Sequence, residues 1–194
     1  MQSYFTDAGL YLIQFVFGLY IVAVMLRFLL QVVRADFYNP ISQFLVAITN
    51  PVVKPLRRLL PGFFGVDIAS LVALVLLACI EWSLISLLRS GALPQPAGLL
   101  VFVAADLLKL AIWIFTIALF VRVILSWVNP YGTHHNPAAG LVARLTDPLM
   151  APARNLLPAV SGVDFSPILV FLVLGLAQIL LVAPLRDLGL RLMQ

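Results

Sequence analysis

The segment Asn39–Asp67 reads NPISQFLVAITNPVVKPLRRLLPGFFGVD, and 97 residues further on Asn136–Asp164 reads NPAAGLVARLTDPLMAPARNLLPAVSGVD. Of the 29 aligned positions 12 are identical without a gap. Asn39-Pro40, Thr49, Pro51, Pro55, Arg57, Leu59-Leu60-Pro61 and Gly65-Val66-Asp67 return as Asn136-Pro137, Thr146, Pro148, Pro152, Arg154, Leu156-Leu157-Pro158 and Gly162-Val163-Asp164. Identities held in one register over this length mark a tandem duplication. Arg27 finds its match in Arg122 at an offset of 95, which places two extra residues of the second copy within the Tyr131–His135 stretch.

What flanks these segments is apolar. One run extends from Ala8 past Arg27 to about Val33, and others cover roughly Val66–Leu88, Ala97–Val128 and Val163–Leu185. A hydrocarbon core takes about 20 helical residues. The runs lack the period-two alternation of barrel strands, so in lipid their backbones satisfy themselves as helices. The expected fold is an all-α membrane protein with four transmembrane helices. Composition agrees: of 194 residues 63% are hydrophobic and 10% charged, with mean hydropathy +1.10, where a soluble domain carries about 25% charged residues. The opening MQSYFTD has no basic residue, and the run behind it is too long for a signal-peptide core, so the first span is read as a retained anchor.

Each copy crosses the membrane twice, an even number, so the copies face the same way. They form parallel tandem repeats, 8–90 and 97–186, unlike the inverted repeats of many carriers. Arg34, Lys54, Arg57 and Arg58 lie in the first connection and Arg144 and Arg154 in the second, with Arg27 and Arg122 near the same face. The opposite face holds only Arg89, Arg186 and Arg191. This bias puts both long connections in the cytoplasm and both termini outside.

Asn39 and Asn136 are placed to cap helices whose first residue is proline. Ile41, Phe44, Leu45 and Ile48, and in the second copy Ala138, Leu141, Val142 and Leu145, then form an apolar stripe at helical spacing. Thr49-Asn50-Pro51 and Thr146-Asp147-Pro148 are expected to stop each helix, with Asn50 and Asp147 capping a second short turn. A helix of about ten residues spans only about 15 Å, half a hydrocarbon core. Each connection is therefore a short amphipathic element, either interfacial or re-entrant.

Ionisable groups at membrane depth are expensive and face a partner or a water-filled cavity. Away from the edges of the spans they are Glu81, Asp106 and Lys109. By helix rise Glu81 and Lys109 reach matching depths, and their repeat counterparts are Gln178 and Gln14. An ion pair Glu81–Lys109 is expected in one copy and an amide pair Gln14–Gln178 in the other, as a structural clasp or as part of a proton or cation path. Arg27 and Arg122 have depths suited to pairing with Asp67 and Asp164, or to snorkelling toward lipid phosphate. Arg57 and Arg154 are open to headgroups, a partner's carboxylates or solvent.

Catalytic constellations are absent from the pattern. His134 and His135 are adjacent, point apart and have no counterpart in the first copy, and Cys79 has no second thiol or nearby histidine. No metal or cofactor set follows, and no nucleophile elbow, Walker or dinucleotide motif occurs. The net charge of +4 is too scattered for nucleic acid but suits anionic lipid headgroups. Gly9, Gly18 and Gly175 are candidates for close helix contact.

The doubled pattern Arg27…Asn39-Pro40…Thr49-x-Pro51-x-x-x-Pro55-x-Arg57…Pro61…Gly65-x-Asp67 resembles the YggT family of small bacterial membrane proteins, over nearly the whole chain as two repeats. The resemblance implies a multi-pass inner-membrane protein, its termini then periplasmic, with no established catalytic residues or activity. It links some members to osmotic stress and cation homeostasis, others to cell-division neighbours, and plastid relatives to haem attachment or nucleoid distribution. Two classes of function stay open. One is a non-enzymatic scaffold or assembly factor that binds other membrane proteins or itself, favoured because the repeated residues cluster in the connections. The other is a small channel or ion-homeostasis component lined by Glu81, Asp106 and Lys109.

Overall fold

A computed structural model describes residues 4–60, 67–128, 136–157 and 164–193. In chain order the helices are α1 (Tyr4–Val32), α2 (Pro40–Leu59), α3 (Ile68–Ser90), α4 (Pro96–Val128), α5 (Pro137–Leu156), α6 (Ser166–Ala177) and α7 (Ala183–Met193), with a π-helical turn, Gln178–Val182, joining the last two. No strand occurs among the described residues. Four helices are long and apolar enough to cross a membrane: α1, α3, α4 and the continuous span Ser166–Met193. Each is hydrophobic on all sides. The outward Leu76, Ile80, Leu87, Phe120 and Leu172 are left exposed, as suits helices solvated by lipid.

The core is built from small residues on α3. Ala69, Ser70 and Ala73 are fully buried, and they let α1 bring Val24, Met25 and Leu29 against them with Val103 and Leu107 of α4. Without a hydrophobic force between helices in lipid, such close backbone approach is what holds a seam together. The tightest seam joins the start of α4 to α7. A Cβ on Gly98 would fall 2.4 Å from the backbone of Leu192 and Met193, and one on Gly189 would fall 2.6 Å from the backbone of Phe102. The expected glycines do not serve this way. Gly18 and Gly175 have nothing within 4 Å, and Gly9 meets only Leu88 at 3.9 Å.

At the other end, α2 packs on α1 and α3, α5 packs on α4 and α6, and the two connections touch. Asn39 caps α2 by accepting from the Ile41 N–H at 2.9 Å, while its amide donates to Pro137 O at 2.8 Å, the first residue of α5. Asn136 caps α5 through the Ala138 N–H at 3.0 Å.

The connections depart from expectation in length. Each is one helix of 20 residues that carries its prolines inside, Pro51 and Pro55 in α2 and Pro148 and Pro152 in α5. A proline costs its helix one N–H and crowds the carbonyl four residues back. Both helices run through their prolines nonetheless, and side chains add donors to three carbonyls of the turn before Pro51. Tyr20 Oη donates to Ile48 O at 3.2 Å, Thr49 Oγ1 to Leu45 O at 2.6 Å, and Arg27 to Val46 O at 3.4 Å. The buried face of α2 is Ser42, Leu45, Thr49 and Val53. Of the apolar stripe, Leu45 points in and Ile48 is half-buried, while Ile41 and Phe44 face out. In α5, Leu141 and Leu145 are buried and Ala138 is exposed. Pro61, Pro158 and Tyr131–His135 lie outside the described residues.

Candidate functional site

Each copy places an arginine of its first long helix against the face of its connection. In the first, Arg27 Nη1 donates to Thr49 Oγ1 at 2.8 Å, to Asn50 Oδ1 at 3.0 Å and to Val46 O at 3.4 Å. In the second, Arg122 Nη1 donates to Thr146 Oγ1 at 2.7 Å, Asp147 Oδ1 at 2.8 Å and Ala143 O at 3.2 Å. All three acceptors occupy matched positions in the duplicated block. The threonine works twice. Its hydroxyl donates back to the helix, Thr49 to Leu45 O and Thr146 to Val142 O, which leaves its oxygen free to accept from the arginine. Neither Asn50 nor Asp147 caps a second turn, because both lie inside a helix and serve the guanidinium instead.

A second link ties the far end of each connection to the next span. Arg57 forms an ion pair with Asp67, and Arg154 Nε pairs with Asp164 Oδ2 at 2.9 Å. The expected partners Arg27–Asp67 and Arg122–Asp164 are thus replaced. The arginine of the connection is nearer in chain and space to the aspartate, and the arginine of the span is engaged by the threonine. Asp67 is 3% exposed and also accepts from Ser70 Oγ at 2.7 Å, whereas Asp164 is 36% exposed and accepts from the Ser166 N–H at 2.9 Å. Both carboxylates sit just ahead of their apolar spans. Burial alone would raise each, but the hydrogen bonds from Arg57 and Ser70 to Asp67, and from Ser166 and Arg154 to Asp164, hold both below the usual carboxylate range.

Between the two links of each copy lies an open cleft. The first has a volume of about 510 Å³ and is lined by Arg27, Gln31, Phe37, Val46, Arg57 and Asp67. The second, of about 590 Å³, is lined by Arg122, Arg154 and Asp164 with a larger apolar wall that includes Trp127, Phe165 and Phe171.

The intramembrane groups are arranged otherwise than expected. Lys109 is exposed on the outer face of α4 and makes no ion pair with half-buried Glu81. The charge that acts on Glu81 is Asp106, also half-buried. Gln14 is exposed and does not bond Gln178, which instead opens the π-helical turn. Matching depth puts two residues at one level but does not set the rotation of their helices. Near Glu81 the structure gathers groups the sequence did not single out together: Arg186 stacks over the Phe102 ring at 5.3 Å, and Phe102 meets Trp82 edge-on at 4.6 Å.

No group of three His, Cys, Asp or Glu able to hold a metal is found among the described residues. His134 and His135 lie outside those residues, and Cys79 is a half-buried free thiol against the core.

Comparison with known proteins gives two matches along the chain: the CCB3/YggT family model fits residues 6–88 and again 101–185. An uncharacterized protein of Pseudomonas aeruginosa is 44% identical over 179 residues, 90% of this chain and 88% of the relative. An uncharacterized protein encoded in the proC 3′ region of Vibrio alginolyticus is 37% identical over 172 residues, covering 88% and 91%. The uncharacterized protein YggT of Escherichia coli is 36% identical over 176 residues, covering 88% and 89%. No solved structure matches the chain.

Proposed function

This chain belongs to the CCB3/YggT family, and from that premise we propose that it is a non-enzymatic scaffold of the bacterial inner membrane, with parallel repeats, cytoplasmic connections and periplasmic termini. The observation that carries the reading is the pairing of α2 and α5 through Asn39 and Pro137 at 2.8 Å. Each helix is fastened at its middle by Arg27 or Arg122 and near its end by Arg57 or Arg154. Two 20-residue helices that meet at their starts, each fastened to its own spans at two points, form a stiff platform. Its outer face keeps Tyr38, Ile41 and Phe44 exposed beside Lys54 and Arg58, a mixture suited to another membrane protein, a second copy or an anionic lipid surface. Roles in stress response or assembly would follow from what the platform holds.

A photo-crosslinking residue at Phe44 in native membranes tests this. One discrete crosslinked species, lost when Asn39→Ala separates the connections, is the expected result. A diffuse pattern unaltered by that change would overturn it.

One observation favours a second reading. Glu81 and Asp106 lie within electrostatic reach of each other inside the apolar spans, with Lys109 turned away, which is an arrangement that a cation or proton path uses. Purified chain in liposomes that passes protons or potassium, with loss on Glu81→Gln, would support it over the scaffold.

A further inference from the structure

The two clefts are alike in architecture and unlike in charge. In the second copy, Arg122 pairs with Asp147 and Arg154 with Asp164, so each guanidinium has its own carboxylate. In the first, Arg57 takes Asp67, and Arg27 is left with neutral oxygens only: the Thr49 hydroxyl, the Asn50 amide and the Val46 carbonyl. Arg27 is 5% exposed, against 20% for the Arg122 side chain. The more deeply buried of the two cations is therefore the one without a carboxylate of its own, since Asp67 on the same cleft is taken by Arg57. All its bonds run through Nη1, which leaves Nε and Nη2 unengaged among the described residues, in a side chain that lines the open cleft with Arg57. A buried charge without a counter-ion is costly, and the cost is relieved when one is supplied.

We propose that the Arg27–Arg57 cleft of the first copy binds the phosphodiester headgroup of an anionic phospholipid, and that Asp147 is the built-in anion that makes the same site unnecessary in the second. This inference stands apart from the scaffold reading and survives its failure. Three features fit the occupant. Arg27 lies five residues before the end of α1, about 8 Å by helix rise, near one end of its span, where a headgroup would reach it. Guanidinium groups match phosphate with forked N–H donors. Phe37 and Val46 on the cleft wall give apolar surface beside the charge. The surrounding charge agrees: residues 33–67 hold four basic and two acidic side chains, and residues 129–164 hold two of each.

The asymmetry supplies its own test. Asn50→Asp copies into the first half what Asp147 already does in the second, so it neutralises Arg27 in a geometry this fold tolerates. Asp147→Asn is the reverse exchange. The full-length chain, delipidated in neutral detergent, is titrated with phosphatidylglycerol, with phosphatidylcholine and with inorganic phosphate, and lipid retention is read by native mass spectrometry beside the thermal midpoint. Phosphatidylglycerol is expected to be retained and to raise the midpoint of the unaltered chain, and phosphatidylcholine is not. Asn50→Asp should weaken that retention about tenfold while raising the unliganded midpoint, and Asp147→Asn should add a second retained lipid. Equal retention by the unaltered chain and Asn50→Asp would overturn the proposal. Inorganic phosphate matching the effect of the lipid would overturn the lipid assignment.

Discussion

The two halves of the chain use one clasp at two depths. Arg27 and Arg122 each reach a threonine, the side chain that follows it and a backbone carbonyl. Yet the first is nearly buried at the wall of its cleft, and the second is open enough for an exposed aspartate to serve it. The same holds for the second link, where Asp67 is buried and Asp164 is not. Duplication thus preserved the hydrogen-bond topology while burial diverged, and burial decides what a polar contact contributes. The two ends of the molecule diverge as well. At the end away from the connections, the α4–α7 seam of the second copy packs backbone on backbone at Gly98 and Gly189, whereas in the first copy a Cβ on Gly9 would meet only the Leu88 side chain, at 3.9 Å.

That last difference sets the largest expected effect. Gly98→Val would drive two methyl groups into the Leu192 backbone, which cannot yield as a flexible side chain can. A loss of about 3 kcal/mol or more is expected by unfolding in detergent, near the upper range for overpacking, and Gly18→Ala, in open space inside a helix, should cost nothing. Equal tolerance would mean that the seam is looser than described. The next effect separates the clasps themselves. Arg27→Ala removes the buried guanidinium and strands Thr49 and Asn50, a loss expected at about 2–3 kcal/mol. Arg122→Ala leaves Asp147, which water already reaches, and buried Thr146, whose hydroxyl keeps its bond to Val142 O, at about 1 kcal/mol or less. The reverse order would break the comparison.

How far the sequence foretold this architecture depends on which physics was asked for. Span number and helix type were legible because apolar length is set by the bilayer and needs no tertiary context. The clasp was half legible. Arg27, Thr49, Arg57 and Asp67 all stand out as residues that recur, yet the pairing offered for Arg27, with Asp67, is not the one the fold makes. Recurrence says that positions matter together and not which atoms meet. Pro51 was read as a stop because a proline in isolation ends a helix. In the fold α2 runs through it, packed on α1 and α3 and tied to α1 by Tyr20 and Arg27, 28 and 19 residues away from the carbonyls they reach. Glu81 and Lys109 failed for a related reason, since rise per residue gives depth, while the rotation of α4 that turns Lys109 outward comes from packing. Gly98 and Gly189 were missed because they sit on different helices and make no local Gly-x-x-x-Gly pattern.

Acid separates the second pair of links. Both aspartates are held below the usual carboxylate range, so each contributes stability that is complete above the unfolded value of about 3.9 and is lost only as pH falls through its lower folded value. The thermal midpoint should therefore be flat from pH 7 to about 5 on account of these groups and fall below about 4. Asp67→Asn should remove more of that acid-side fall than Asp164→Asn, because its carboxylate is nearly inaccessible to water. An acid limb unchanged by both substitutions would assign the fall to other groups.

The smallest effect lies where α1 ends. Arg34 has φ +51°, in the left-handed region, with its N–H bonded to Gln31 O at 3.0 Å and the next N–H, of Ala35, reaching back to Leu30 O at 2.8 Å. This is the helix-ending motif that normally places glycine at that position. An arginine there costs about 1 kcal/mol of backbone strain. α3 uses glycine in its own left-handed cap, Gly91 at φ +71°. Arg34→Gly should therefore raise stability by about 0.5–1 kcal/mol, less what the freer unfolded chain takes back, and the unfolding midpoint in detergent measures it. If stability fell instead, the Arg34 side chain would be contributing more than its strained backbone costs. The basic character of the first connection would then reach beyond the cleft at Arg27 to the turn that leads into α2.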